Sequence, residues 1–138
     1  MHQQSDLLGL QKCKIMQSDS GATHNLTNRQ HALLNFQHIK PIPIAGIQAD
    51  NTALYATGTG LLHITSDEGD TILVECLYSE SAECTLISPS AITRQYKEVY
   101  TGWTLHSNTR DSQGYLQLIH EDGINHTTFG TYMENGLW

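Results

Sequence analysis

SDSGATHNLTN, residues 18–28, follows KCKIMQS at 12–18, a run that reads as a short strand. The strand therefore ends on Asp19-Ser20-Gly21-Ala22-Thr23, a segment built for a tight turn. A carboxylate presented there, followed by a hydroxyl and a glycine, suits chemistry in which an acid faces a cleft. Gly21 lets another backbone come close because it has no Cβ. Ser20 can hydrogen-bond across to fix the loop. Taken alone the triplet is equally at home in an ordinary type I turn between two elements.

One carboxylate does not complete the chemistry that such a loop implies. Hydrolysis by paired acids needs an ionised carboxylate to activate water and a protonated one to polarise the scissile carbonyl. Asp111-Ser112-Gln113-Gly114 lacks the adjacent glycine and falls in an expected hairpin loop, so the chain offers a single half-site. An active form would then be a symmetric homodimer, each copy supplying one Asp19.

The rest of the sequence reads as one mainly β domain of 138 residues. Strands are expected at 53–65, 71–78, 84–87, 98–106, 114–121 and 125–133. Residues 28–34 allow a helical turn or two, capped by Thr27 or Asn28. Pro41 and Pro43 call for an extended segment at a sheet edge. Gly58 and Gly60 mark places where backbone bends or is approached closely. Ser88-Pro89 has the form of a helix start, Ser as N-cap and Pro in the first turn, with the helix running to about Tyr96. SNTRDSQG and EDGIN have the composition of hairpin loops. The apolar end Gly136-Leu137-Trp138 suggests truncation from something longer.

Charge narrows the function classes. The formal net charge is -7, from 14 acids and 7 bases. Residues 41–93 contain no Lys or Arg but hold Asp50, Asp67, Glu68, Asp70, Glu75, Glu80 and Glu83, so all the excess charge lies there. No basic stripe exists to displace counterions from phosphates, which argues against nucleic acid and anionic membranes as partners. No apolar run reaches the length of a bilayer span, and the N-terminus lacks a signal-peptide pattern. Three cysteines (Cys13, Cys76 and Cys84) imply no disulfide framework and point to a reducing compartment. The eight histidines lack metal-site spacing, so no metal and no cofactor is expected. His24, beside the Asp loop, is the histidine whose charge could tune binding. Asn25-Leu26-Thr27 and Asn125-His126-Thr127 match the glycosylation acceptor pattern by chance in such a compartment.

An ordered set of motifs adds a resemblance. SDSGATHNLTN, PIPIAGIQADNTALYATGTGLLHI and ILVECLYSESAECTLISPSAI, together with NHT and NGLW, resemble the protease region of copia-type retrotransposon polyproteins, diatom and algal elements most of all. The likeness covers roughly residues 15–138, with 15–97 matching the protease proper. It implies a retropepsin-like acid-protease fold, a closed β barrel with one short helix, over residues 1–97, and a β-stranded extension over 98–138 leading towards the integrase region. The implied activity is that of a homodimeric aspartic endopeptidase that processes its own Gag-Pol polyprotein in a cytoplasmic virus-like particle. By the same resemblance Asp19 is the catalytic carboxylate, while Ser20 and Gly21 support the active-site loop. Ala22, Thr23 and His24 bind substrate from below, and Asp50, Asn51 and Thr52 bind it from the flap tip. Leu86, Ile87 and Ser88 would pack beneath the loop. Ser18 and Gln17 stand where retropepsins usually have an apolar strand end, and the extension exceeds a minimal retropepsin. A different class of function fits the same residues: a catalytically silent β domain of this ancestry, serving as an assembly or spacer module.

Overall fold

The computed structural model describes residues 17–18, 22–44, 54–108 and 113–132. These form β1 (Gln17–Ser18), β2 (Asn25–Thr27), a 3-10 turn (Gln30–Ala32), β3 (Leu33–Ile44), β4 (Leu54–Thr65) and β5 (Thr71–Tyr78). There follow β6 (Leu86–Ile87), helix α1 (Pro89–Gln95), β7 (Tyr100–Asn108), β8 (Gln113–His120) and β9 (His126–Tyr132). The chain is mainly β, as its composition of strand-forming runs and turn residues implies. All nine strands join one sheet in the order β3-β4-β5-β2-β6-β1-β9-β8-β7. No helix among the described residues is long and apolar enough to cross a membrane.

Local chemistry explains most elements. Pro41 and Pro43 lie in β3, an edge strand, where a missing N–H costs no ladder bond on the open side. β3 pairs with β4 in a long hairpin whose register slips between Leu34 and Gln37 and again between His38 and Ile42. Asn35 sits at the first slip with φ 55°, a left-handed conformation that Asn tolerates better than most residues. The glycines of β4 are set by contact: a Cβ on Gly58 would fall 2.4 Å from the Phe36 ring, and one on Gly60 would fall 2.9 Å from the Leu34 carbonyl oxygen. The helix expected from Ser88-Pro89 forms, with the Ser88 hydroxyl accepting from the Ala91 N–H. The helical turns expected over 28–34 shrink to one 3-10 turn. Leu33 and Leu34 instead enter β3, where they pair with Leu62 and Leu61.

The barrel expected from the sequence is not closed by the described strands. Their ladder ends on β3 at one side and β7 at the other. The sheet instead bends until the β4–β5 turn reaches β9. The Asp67 N–H donates to the Thr128 carbonyl at 2.7 Å, and the Thr128 N–H donates to Oε1 of Glu68 at 3.0 Å. A side chain and a turn thus bridge a gap that a barrel would fill with a strand pair.

The main core lies around α1. Leu62, Val74, Ile87 and Ile92 pack in it with Tyr100, Leu116, Leu118 and Phe129. Residues of the first part of the chain and of the β7–β9 meander therefore bury one another. A smaller cluster joins Leu26, Leu54 and Ala82, with Ile44, Leu77 and Leu86 packed against it. It fastens the outer end of the β3–β4 hairpin to β2 and β6.

Candidate active site

β6 stands between β1 and β2. Ser18 lies beside Ile87 in a parallel pairing, and Leu26 lies beside Leu86 in an antiparallel one. β1 and β2 therefore run in opposite directions with a third strand between them, and the sequence joins them through residues 19–24. α1 begins at the C-terminal end of β6.

Three buried polar groups hold the descending side of that connection. The Ser88 hydroxyl donates to the Ala22 carbonyl at 2.7 Å while it caps α1. The Ser88 N–H donates to Oδ1 of Asn25 at 2.7 Å, and Nδ2 of Asn25 donates to the Glu75 carbonyl at 2.8 Å. Asn25 is 1% exposed and Ser88 0%, so these bonds are made away from water. Buried groups of this kind are costly to leave unpaired, which makes the arrangement specific. Lower down, the Thr27 and Thr85 hydroxyls bond at 2.9 Å. Nδ2 of Asn28 donates to the Ala82 carbonyl at 2.8 Å.

The next layer ties the same segment to the helix. Nη2 of Arg94 donates to the Thr23 carbonyl at 2.9 Å. The Thr23 hydroxyl bonds Nδ1 of His24 at 3.0 Å. Gln95 closes the stretch of β5 edge that β2 is too short to cover. Its Oε1 accepts from the Glu75 N–H at 2.8 Å, and its Nε2 donates to the Leu73 carbonyl at 3.3 Å. The Tyr96 hydroxyl donates to that carbonyl as well. Between β2, β4, β5 and α1 this leaves an open cleft of about 490 Å³, with His24, Leu61, Glu75, Leu77, Arg94 and Gln95 among its walls.

Of the residues singled out in the sequence, Ala22 is buried and fixed by Ser88, whereas Thr23 and His24 are exposed at the rim of the cleft. Asp19, Ser20, Gly21, Asp50, Asn51 and Thr52 lie outside the described residues. Leu86 and Ile87 form β6 and Ser88 caps α1. Reading the sequence missed Asn25, Glu75, Arg94 and Gln95. The three residues of β2 carry no pattern that would single out Asn25; only its burial shows that its amide must be paired. Cys76 is enclosed among core side chains, and burial pushes its thiol up to about 12, far from a nucleophile's range. Among the described residues no three His, Cys, Asp or Glu side chains gather as metal ligands would.

Comparisons with protein-family models, with curated proteins and with solved structures found no match.

Proposed function

We propose that the protein is a homodimeric aspartic endopeptidase of the retropepsin-like kind, with Asp19 as the carboxylate given by each copy. The observation that carries this reading is the placement of β6 between β1 and β2. The segment bearing Asp19 links β1 to β2 in sequence, these two strands run in opposite directions on either side of β6, and Ser88 holds Ala22 and Asn25, which follow the triplet, through buried hydrogen bonds. Such a setting fixes the residues that follow the triplet, which supports a carboxylate there that must meet a second carboxylate. The packing of Ile44 and Leu54 beside Leu26 and Leu86 adds support, because these ends of β3 and β4, which flank residues 45–53 in sequence, lie next to β2 and β6.

In this reading two Asp19 carboxylates share one proton. The ionised one takes a proton from water as the water oxygen bonds to the scissile carbonyl carbon, and the protonated one hydrogen-bonds the carbonyl oxygen. Collapse of the tetrahedral species breaks the C–N bond and delivers a proton to the leaving nitrogen. The substrate is an extended segment of the protein's own Gag-Pol polyprotein, cut in a cytoplasmic virus-like particle. Asp19→Asn should abolish cleavage of a polyprotein fragment while leaving the melting temperature and oligomeric state unchanged. Full activity in that variant would end the proposal.

A second reading, a catalytically silent assembly or spacer domain, is favoured by one observation. β9 pairs with β1 at Tyr132 and Gln17, so the chain covers the outer edge of the strand before Asp19 with its own extension. A chain that stays monomeric at high concentration and ignores a peptide inhibitor with a hydroxyl in place of the scissile amide would select this reading.

A further inference from the structure

The cleft between β2, β5 and α1 combines features that point to a ligand. Thr23 gathers two basic groups on one rim: its carbonyl receives Nη2 of Arg94 at 2.9 Å, and its hydroxyl meets Nδ1 of His24 at 3.0 Å. The two contacts orient the side chains without using them up. Arg94 keeps its other guanidinium N–H groups, and Nε2 is the His24 nitrogen left to meet a ligand. Both side chains are exposed. Arg94 is also the first base after a stretch, 41–93, that has seven acids and no Lys or Arg. It is therefore a local positive point on a negative part of the molecule.

The other walls define the rest of the ligand. Leu61 and Leu77 are half-buried and offer apolar surface. Glu75 lies on the β5 wall, exposed, with its backbone held on both sides by Gln95 and Asn25. Its charge disfavours a group with two negative charges and tolerates a single carboxylate flanked by apolar or basic neighbours. Planar, bidentate pairing is what a guanidinium does best with a carboxylate.

From this juxtaposition we infer that the cleft is a peptide-binding site that reads one acidic side chain, with Arg94 and His24 taking the carboxylate and Leu61 and Leu77 taking an apolar neighbour. The inference deepens the protease reading, on which its meaning as substrate selection rests, by naming an acidic residue in the substrate. The binding itself does not require catalysis.

The test uses the full chain carrying Asp19→Asn, so that cleavage cannot interfere, labelled with nitrogen-15 at physiological salt. It is titrated with the capped pentapeptide acetyl-Ala-Leu-Glu-Leu-Ala-amide, with its Gln counterpart and with its phosphoserine counterpart. The Glu peptide should shift the amides of Thr23, His24, Leu61 and Leu77, and should bind about fivefold more tightly than the Gln peptide, the size of a partly exposed ion pair. The phosphoserine peptide should bind more weakly than the Glu peptide. Arg94→Gln should erase the preference for Glu. Because that change also removes the bond to Thr23, Glu75→Gln on the opposing wall serves as a second variant, and should tighten the Glu peptide and admit the phosphopeptide. Equal binding of the Glu and Gln peptides, shifts confined to other surfaces, or no binding would overturn the inference. Loss of the protease reading would show instead as persistent cleavage by the Asp19→Asn chain.

Discussion

The backbone N–H of Ser88 donates to Oδ1 of Asn25 at 2.7 Å, across 63 residues of sequence. That bond joins the start of the helix to the strand that follows the Asp19 segment. Asn25 uses its other amide atom on the Glu75 carbonyl, so one side chain links β2, β5 and the β6–α1 corner. Asn25→Ala leaves a buried donor and a buried acceptor without partners, and should cost about 2–4 kcal/mol in urea unfolding. Asn25→Asp keeps the acceptor for Ser88 and loses the donor to Glu75, so it should be destabilised as well. Ser88→Ala loses both the cap and the bond to Ala22, for about 1–2 kcal/mol. If Asn25→Ala unfolds at the wild-type urea midpoint, the network has no structural weight.

The strands after residue 98 are built into the same core as those before it. Phe129 is 1% exposed, Leu116 and Leu118 are 0%, and all three belong to the cluster that holds Ile87 and Ile92. A chain ending at residue 97 would expose that cluster to water. Such a fragment should be unfolded or aggregated by circular dichroism and sedimentation. Phe129→Ala in the full chain should lose about 3–5 kcal/mol. A folded, soluble 1–97 fragment would contradict this packing.

The two glycines of β4 should respond differently to alanine. At Gly58 the nearest obstacle is the far end of the Phe36 ring, a side-chain end that yields more readily than backbone, and the Gln37 carbonyl oxygen stands off at 3.3 Å. At Gly60 it includes the Leu34 carbonyl oxygen, 2.9 Å from the new Cβ, and backbone cannot yield without breaking the β3–β4 ladder. Gly60→Ala should therefore destabilise more, by about 1–3 kcal/mol. Calorimetric melting of the two variants decides the order.

Acid should loosen the turns at Glu68 and Asp122. Hydrogen bonding from the Thr128 N–H holds the Glu68 carboxyl below its ordinary value, and the Asn125 and Ile124 N–H groups do the same for Asp122. Each lowered group adds stability that is complete above the ordinary carboxylate range and is lost as pH falls through its folded value. Both groups are exposed, so each contribution is modest. Glu68→Gln should melt below wild type at neutral pH, and the gap should close as the solution is acidified. A gap that is constant with pH would separate Glu68 from this effect.

Several elements were legible in the sequence because their causes are local. Ser88 and Pro89 mark the helix start, since a hydroxyl cap and a fixed φ act within one turn. Pro41 and Pro43 mark an edge because a proline lacks the N–H for a second neighbour. The meander over 100–132 announces itself through Asn, Asp and Gly between apolar runs. β2 and the first part of β3 were hidden for different reasons. β2 has three residues, too few to show alternation. β3 opens on Leu33 and Leu34, which after Ala32 suit a helix, and only pairing with β4 pulls them into extended form.

A mainly β chain, its turns and its capped helix follow from local residue chemistry, and the same reading singles out Asp19-Ser20-Gly21 and the rim residues Thr23 and His24. That β6 lies between β1 and β2, that β9 covers β1, and that Ser88 and Arg94 hold the residues after the triplet emerges from long-range packing. The reason is physical. Turns and caps are set by neighbours a few residues away, whereas each of these pairings involves a strand of two or three residues and spans a long separation. Their stability comes from burial and from polar groups that must be satisfied together, and neither leaves a pattern in the residues of one strand.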